Sequence, residues 1–132
     1  MAGNITNYLE NKILEHTTGK TTYTRPSATY LSLYTVSPTD TTAGTEVTNA
    51  NNYARVAVTW GTAANGSIAN SSTITFPTAS GTWGTVIAAG LSDSSTWNGG
   101  NLLWYGPLGA ATTINNADTY VISVGGLQLS LD

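Results

Sequence analysis

Between Tyr53 and Trp60 the chain alternates. Ala54, Val56, Val58 and Trp60 fall on one side of an extended segment, and Tyr53, Arg55, Ala57 and Thr59 fall on the other. Period-two alternation with one wholly apolar side predicts a strand that buries that side. The same period runs from Thr29 to Val36, bounded by Pro26 and Pro38, and recurs over Ser72–Phe76 and Leu127–Leu131, while Thr82–Leu91, with Gly84 and Gly90 as bulge or bend sites, and Tyr120–Val124 are further strand candidates. Leu102-Leu103-Trp104-Tyr105 is continuously apolar, which predicts a central strand covered on both faces and ended by Gly106-Pro107. Gly125-Gly126 reads as a two-residue hairpin turn, with a bend inside one long strand as the alternative.

Only the N-terminal stretch has a helical period. Ile5, Tyr8, Leu9 and Ile13 share a face with Leu14 beside it, and Glu10, Asn11, Lys12 and Glu15 fill the remainder. Asn4 or Thr6 can cap the start, Asn7 and Glu10 stand at capping-box spacing, and Gly19 supplies a left-handed stop. A helix of about three turns is marginal alone in water, so its apolar face has to dock, either on its own sheet or on another protein.

Residues 38–52 are rich in Thr, Asn and Gly and read as a long exposed loop, with one extended piece at Glu46-Val47-Thr48. One helix followed by about seven short strands, spaced by turn signals, predicts a mainly β fold: a single antiparallel β-sandwich, jelly-roll or Ig-like, with an N-terminal α-helix. The 132 residues make one domain, with a helix region at 1–19 and the sandwich at 20–132.

Composition sharpens this picture. The chain has no cysteine, so neither disulfides nor a thiolate metal site hold it, and a reducing cytoplasm suits its folding. It shows no secretion signal at its start and no run of roughly 18 apolar residues, so no membrane association is expected. Charged residues are 8% of the chain, with net charge −3 and four Lys and Arg in all. So few cations argue against a nucleic-acid partner.

Scarcity of charge makes Arg55 conspicuous. It is the only charged residue between Glu46 and Asp93. A guanidinium is always ionised and costly to bury unpaired, so Arg55 needs a partner, and Glu46 is the nearest carboxylate in sequence. We therefore expect a structural ion pair of Arg55 and Glu46. No constellation for catalysis or metal binding emerges: the lone histidine, His16, sits at the helix end, and Asp93 and Asp118 read as turn residues. No catalytic residue, metal or cofactor is expected. Trp60, Trp83 and Trp104 lie in or beside strands and read as core. Trp97 sits in a polar loop and reads equally as a contact residue or as a lid over one end of the sandwich.

Several stretches together carry a resemblance: Asn7-Tyr8-Leu9-Glu10-Asn11-Lys12, Gly44-Thr45-Glu46-Val47, Tyr53-Ala54-Arg55, Thr75-Phe76-Pro77, Trp83-Gly84-Thr85-Val86, the run from Gly99 to Gly106, and the Leu-alternating end. In this order they resemble small virion proteins of tailed bacteriophages, often labelled tail-fibre proteins, some of which look like capsid cement or decoration proteins. The resemblance implies a structural, non-enzymatic virion component, assembled in the bacterial cytoplasm, and a homotrimer if it is a decoration protein. The reading favoured at this stage is a cement protein on the outer capsid surface that binds the major capsid protein, since the chain lacks the repeats and heptads of a fibre shaft. A tail-fibre or adaptor subunit is the alternative, and a host-glycan-binding module using Trp97 is a further one. The candidate interface residues are Ile5, Tyr8, Leu9 and Ile13 on the helix, together with Trp97.

Overall fold

The computed structural model describes residues 2–131. Ten strands and one helix follow in the order β1 (Ala2–Ile5), α1 (Asn7–Thr17), β2 (Tyr30–Val36), β3 (Thr45–Glu46), β4 (Val56–Ala57), β5 (Ser67–Ala69), β6 (Ile74–Thr75), β7 (Gly84–Ser92), β8 (Leu102–Ile114), β9 (Val121–Ile122) and β10 (Gln128–Ser130). The main sheet has the order β3-β2-β7-β8-β1-β10-β5, with β4 also on β2, and β6 and β9 form a second, two-stranded sheet. The fold is mainly β, a sandwich with one helix.

Its centre is the antiparallel trio β2, β7 and β8, where Leu31, Leu33, Val86 and Ala89 are fully buried. An aromatic cluster joins the two sheets. Tyr53 stands edge-on to Trp83 at 5.2 Å, Phe76 meets Trp83 at 6.4 Å, and Tyr120 closes on Phe76 at 6.0 Å. Edge-to-face pairs at these separations are favourable beyond the area they bury.

Thr6 caps α1. Its backbone is extended and its hydroxyl oxygen accepts from the Leu9 N–H at 3.4 Å, while the hydroxyl proton goes to Leu102 O at 2.7 Å on β8. Asn4, the other cap suggested by sequence, lies in β1. The helix stops at Thr18 and Gly19, the latter with φ 75°. Leu9 is buried in the common core, with Ile5, Tyr8 and Ile13 packed against it. The helix thus docks on its own sheet.

Four local expectations change. The segment 53–60 keeps strand pairing only at Val56–Ala57, with Trp60 bridged to Asn70, and its faces differ from the alternation: Tyr53 is buried and Ala54 exposed. Hydrogen bonding decides this, because the Tyr53 hydroxyl and the Arg55 guanidinium both reach inward to Glu46. Pro107 does not end the strand begun at Leu102. Pro107 stands opposite Ala88, and pairing resumes at Thr112 opposite Val86, so residues 108–111 form a bulge that absorbs the proline.

Gly125-Gly126 is not a hairpin. The Gly126 N–H bonds Ser123 O at 2.9 Å and the Gly125 N–H bonds Asn70 O at 3.0 Å, and this turn passes the chain from the small sheet to the main one. Finally, β1 runs parallel to β10 (Ala2 opposite Gln128, Gly3 opposite Leu129) and antiparallel to β8 (Asn4 opposite Tyr105), so the main sheet is antiparallel except at that one junction. Residues 2–5 bridge β8 and β10 in that sheet, although the sequence shows no strand signal there.

Candidate functional site

The loops after β2 and β7 and the segment before β4 converge on one buried carboxylate. Glu46 is placed by β3, whose pairing with β2 sets Glu46 opposite Tyr34. Arg55 meets it side-on: Nε donates to Oε1 at 2.9 Å and Nη2 to Oε2 at 2.8 Å. The two side chains are 3% and 0% exposed. Paired N–H bonds of this kind exploit the planar fork of arginine and hold it in a fixed plane.

The rest of both groups is also used. Arg55 Nη1 donates to the carbonyls of Ser94 at 2.8 Å and Gly99 at 2.9 Å. Glu46 Oε1 also accepts from the Tyr53 hydroxyl at 2.9 Å, and Oε2 from the Asn98 N–H at 3.1 Å. The Tyr53 oxygen in turn accepts the Leu33 N–H at 3.0 Å. Burial by itself would lower the pKa of the Arg55 guanidinium, but the hydrogen bonds and charge of Glu46 outweigh it and the net shift is upward. Burial, foremost, raises the Tyr53 hydroxyl far above the ordinary tyrosine value, with the adjacent Glu46 charge acting in the same direction.

This network fixes the loop 93–101. Asp93 accepts from the Asn101 backbone at 2.7 Å and from its side-chain amide at 2.8 Å, closing the loop at its base. Gly100 has φ 71°, and a β-carbon there would run into the Asp93 carboxylate and the Ser94 side chain. Trp97 rides on this loop. Its indole N–H donates to Val47 O at 2.9 Å, and the residue is 39% exposed. One residue therefore both covers the edge of β3 and presents an aromatic surface.

The structure brings Arg55 and Glu46 into contact and sets Trp97 beside them. It disperses the candidates of the helix region: Ile5, read as part of the helical face, stands in β1, Leu9 is interior, and Ile5, Tyr8 and Ile13 are partly covered by the core. Leu9 cannot serve an outside contact, because its face is used to anchor α1. Leu14, the residue beside that face, is 61% exposed. Tyr53 is the member the sequence hinted at, two residues from Arg55 on the same side of an extended segment. Nothing in the sequence marked the Ser94 and Gly99 carbonyls, since any backbone supplies them.

Three further titratable groups have local structural partners. Asp118 accepts the Asn115 N–H at 2.8 Å, His16 Nδ1 accepts the Tyr23 N–H at 3.1 Å, and Asp40 accepts the Tyr105 hydroxyl at 2.7 Å. No group of three or more His, Asp or Glu side chains among the described residues is arranged to hold a metal ion. Among the described residues, no helix is long and apolar enough to cross a membrane.

Against known proteins, the family described as podophage GP4 fiber I protein gp80 matches residues 4–130. No curated protein matches the chain.

Proposed function

The chain belongs to the podophage GP4 fiber I protein family, and from that premise we propose that this structural virion protein works as a non-enzymatic subunit of a phage fibre. The family match, which covers nearly the whole chain, carries this reading. The side chains support it: Glu46, Asp93 and Asp118 are engaged in holding loops, which is work for a scaffold rather than for acid–base chemistry. A homotrimer belongs to the decoration-protein alternative.

A second reading is a capsid cement protein that clamps the major capsid protein from the outer surface. The compact sandwich favours it, because the helix folds back on its own sheet and residues 2–131 contain no coiled coil or repeating shaft. Cryo-electron microscopy of particles carrying a tagged copy separates the two. Density of this sandwich at the tail supports the fibre, density at regular positions over the capsid lattice supports the cement protein, and its absence from both overturns the pair.

A further inference from the structure

An open groove of about 860 Å³ runs between α1 and the sheet edge formed by β1, β8 and the end of β10, and none of the Arg55 network lines it. The helix sets Glu10 and Leu14, one turn apart, along one wall. Trp104 and Tyr105 of β8 contribute to the floor, Leu131 stands at the end of β10, and Asp40 comes from the loop after β2. Two features mark it as a docking surface. Leu14 and Leu131 are 61% and 53% exposed, a cost in water that a covering partner removes. The charged residues lining the groove, Glu10 and Asp40, are both acidic, and among the described residues no cation pairs with either.

We propose, building on the reading as a virion subunit, that this groove receives a segment of a different virion protein, one that carries Lys or Arg beside leucine-like side chains. Charge complementarity sets the sign of the partner. The exposed Leu14 and Leu131 and the two carboxylates call for an apolar segment with cationic ends, as amphipathic segments present to grooves. Asp40 keeps acceptor capacity after taking the Tyr105 hydroxyl proton, and that hydroxyl is held upward in pKa, first by this hydrogen bond and further by the nearby Asp40 and Glu10 charges.

A second copy of the chain is a poor occupant. Each copy carries a net charge of −3 and only four Lys and Arg, so a second copy has little to set against Glu10 and Asp40 in this groove, whichever other surface joins copies in an oligomer. Its cations other than Arg55 are Lys12, Lys20 and Arg25, and two of these are already engaged: Lys12 lies over the Tyr8 ring at 5.7 Å and Lys20 is 4.0 Å from Glu15.

The test replaces Leu14 with the photo-cross-linking residue benzoylphenylalanine in the full chain and irradiates assembled particles. Peptides joined to it are then read by mass spectrometry. The expected product is one peptide of another virion protein containing Lys or Arg next to Leu, Ile or Val. Cross-links to another copy of this chain, to an acidic or uncharged segment, or to nothing would overturn the proposal.

In parallel, the double variant Glu10→Lys/Asp40→Lys and the exposed-site variant Leu14→Gln are supplied to a phage lacking the intact gene. Charge reversal should cut copies per particle by about tenfold or more, since like charges across an interface cost several kcal/mol. Leu14→Gln should lower them with an unchanged melting temperature, which excludes a folding defect. Normal incorporation of both variants overturns the groove alone, whereas absence of the unsubstituted chain from particles overturns the virion reading.

Discussion

Arg55 and Glu46 meet through two parallel hydrogen bonds of 2.9 and 2.8 Å, and neither side chain is more than 3% exposed. A buried pair of this kind gains little over an apolar pair of the same volume, because desolvation offsets most of the attraction. Breaking it from one side is different. Arg55→Met leaves the Glu46 charge uncompensated and should cost about 3 to 5 kcal/mol in denaturant unfolding. The double variant Arg55→Met/Glu46→Gln should recover part of that loss. Equal stability of Arg55→Met and the wild type would show that the pair does not hold the loops together.

The Tyr53 hydroxyl links that pair to the central strand β2 through Leu33. Tyr53→Phe removes one donor from a buried carboxylate and one acceptor from a buried N–H, at a cost of about 1 to 3 kcal/mol. It should also change the alkaline limit. A tyrosine whose folded pKa lies above the ordinary 10.0 favours the fold fully below that value, and the benefit is lost as pH rises above it. Stability followed by melting from pH 8 upward should stay level on this account to about pH 10 and then fall. The fall should be shallower in Tyr53→Phe than in the wild type, with Tyr23, Tyr34 and Tyr120, raised foremost by burial, and Tyr105, raised foremost by its hydrogen bond to Asp40, supplying the remainder.

Gly100 and Gly109 offer a matched contrast. Gly100 has φ 71° and its missing side chain is filled by Asp93 and Ser94, while Gly109 sits in the β8 bulge with nothing within 4 Å. Gly100→Ala should destabilise by about 1 to 3 kcal/mol and increase solvent quenching of Trp97 fluorescence as the loop loosens. Gly109→Ala should stay within about 0.5 kcal/mol of wild type. Equal effects from the two would contradict the fixed loop.

Removing residues 1–19 takes out β1, which joins β8 to β10, and Leu9, which sits in the core. The truncated chain should lose cooperative thermal unfolding altogether. A sharp melting transition in the truncated protein would show that the helix region is an appendage.

These features differ in how far the residues announced them. The alternation at 29–36 marked β2 because Leu31 and Leu33 share one side of a segment bounded by Pro26 and Pro38, and the helix was readable from Tyr8, Leu9 and Ile13 with Thr6 ahead of them. Glu46 could be named as the partner of Arg55 because so few charges compete in that part of the chain. Residues 2–5 and 67–69 carried no strand signal, being short and held by the neighbours they pair with rather than by propensity. The extension of β8 past Pro107 was hidden because the bulge at 108–111 that accommodates the proline depends on the register of β7. The groove was illegible for a similar reason. Asp40 and Tyr105 are 65 residues apart, and only the fold puts them together.

Quantitative mass spectrometry of gradient-purified virions decides whether this sandwich is a built-in part of the particle. As a fibre subunit the chain should be present at a fixed, low copy number relative to the major capsid protein, unchanged by high-salt washing. Finding it in the infected-cell lysate but not in purified particles would contradict the account.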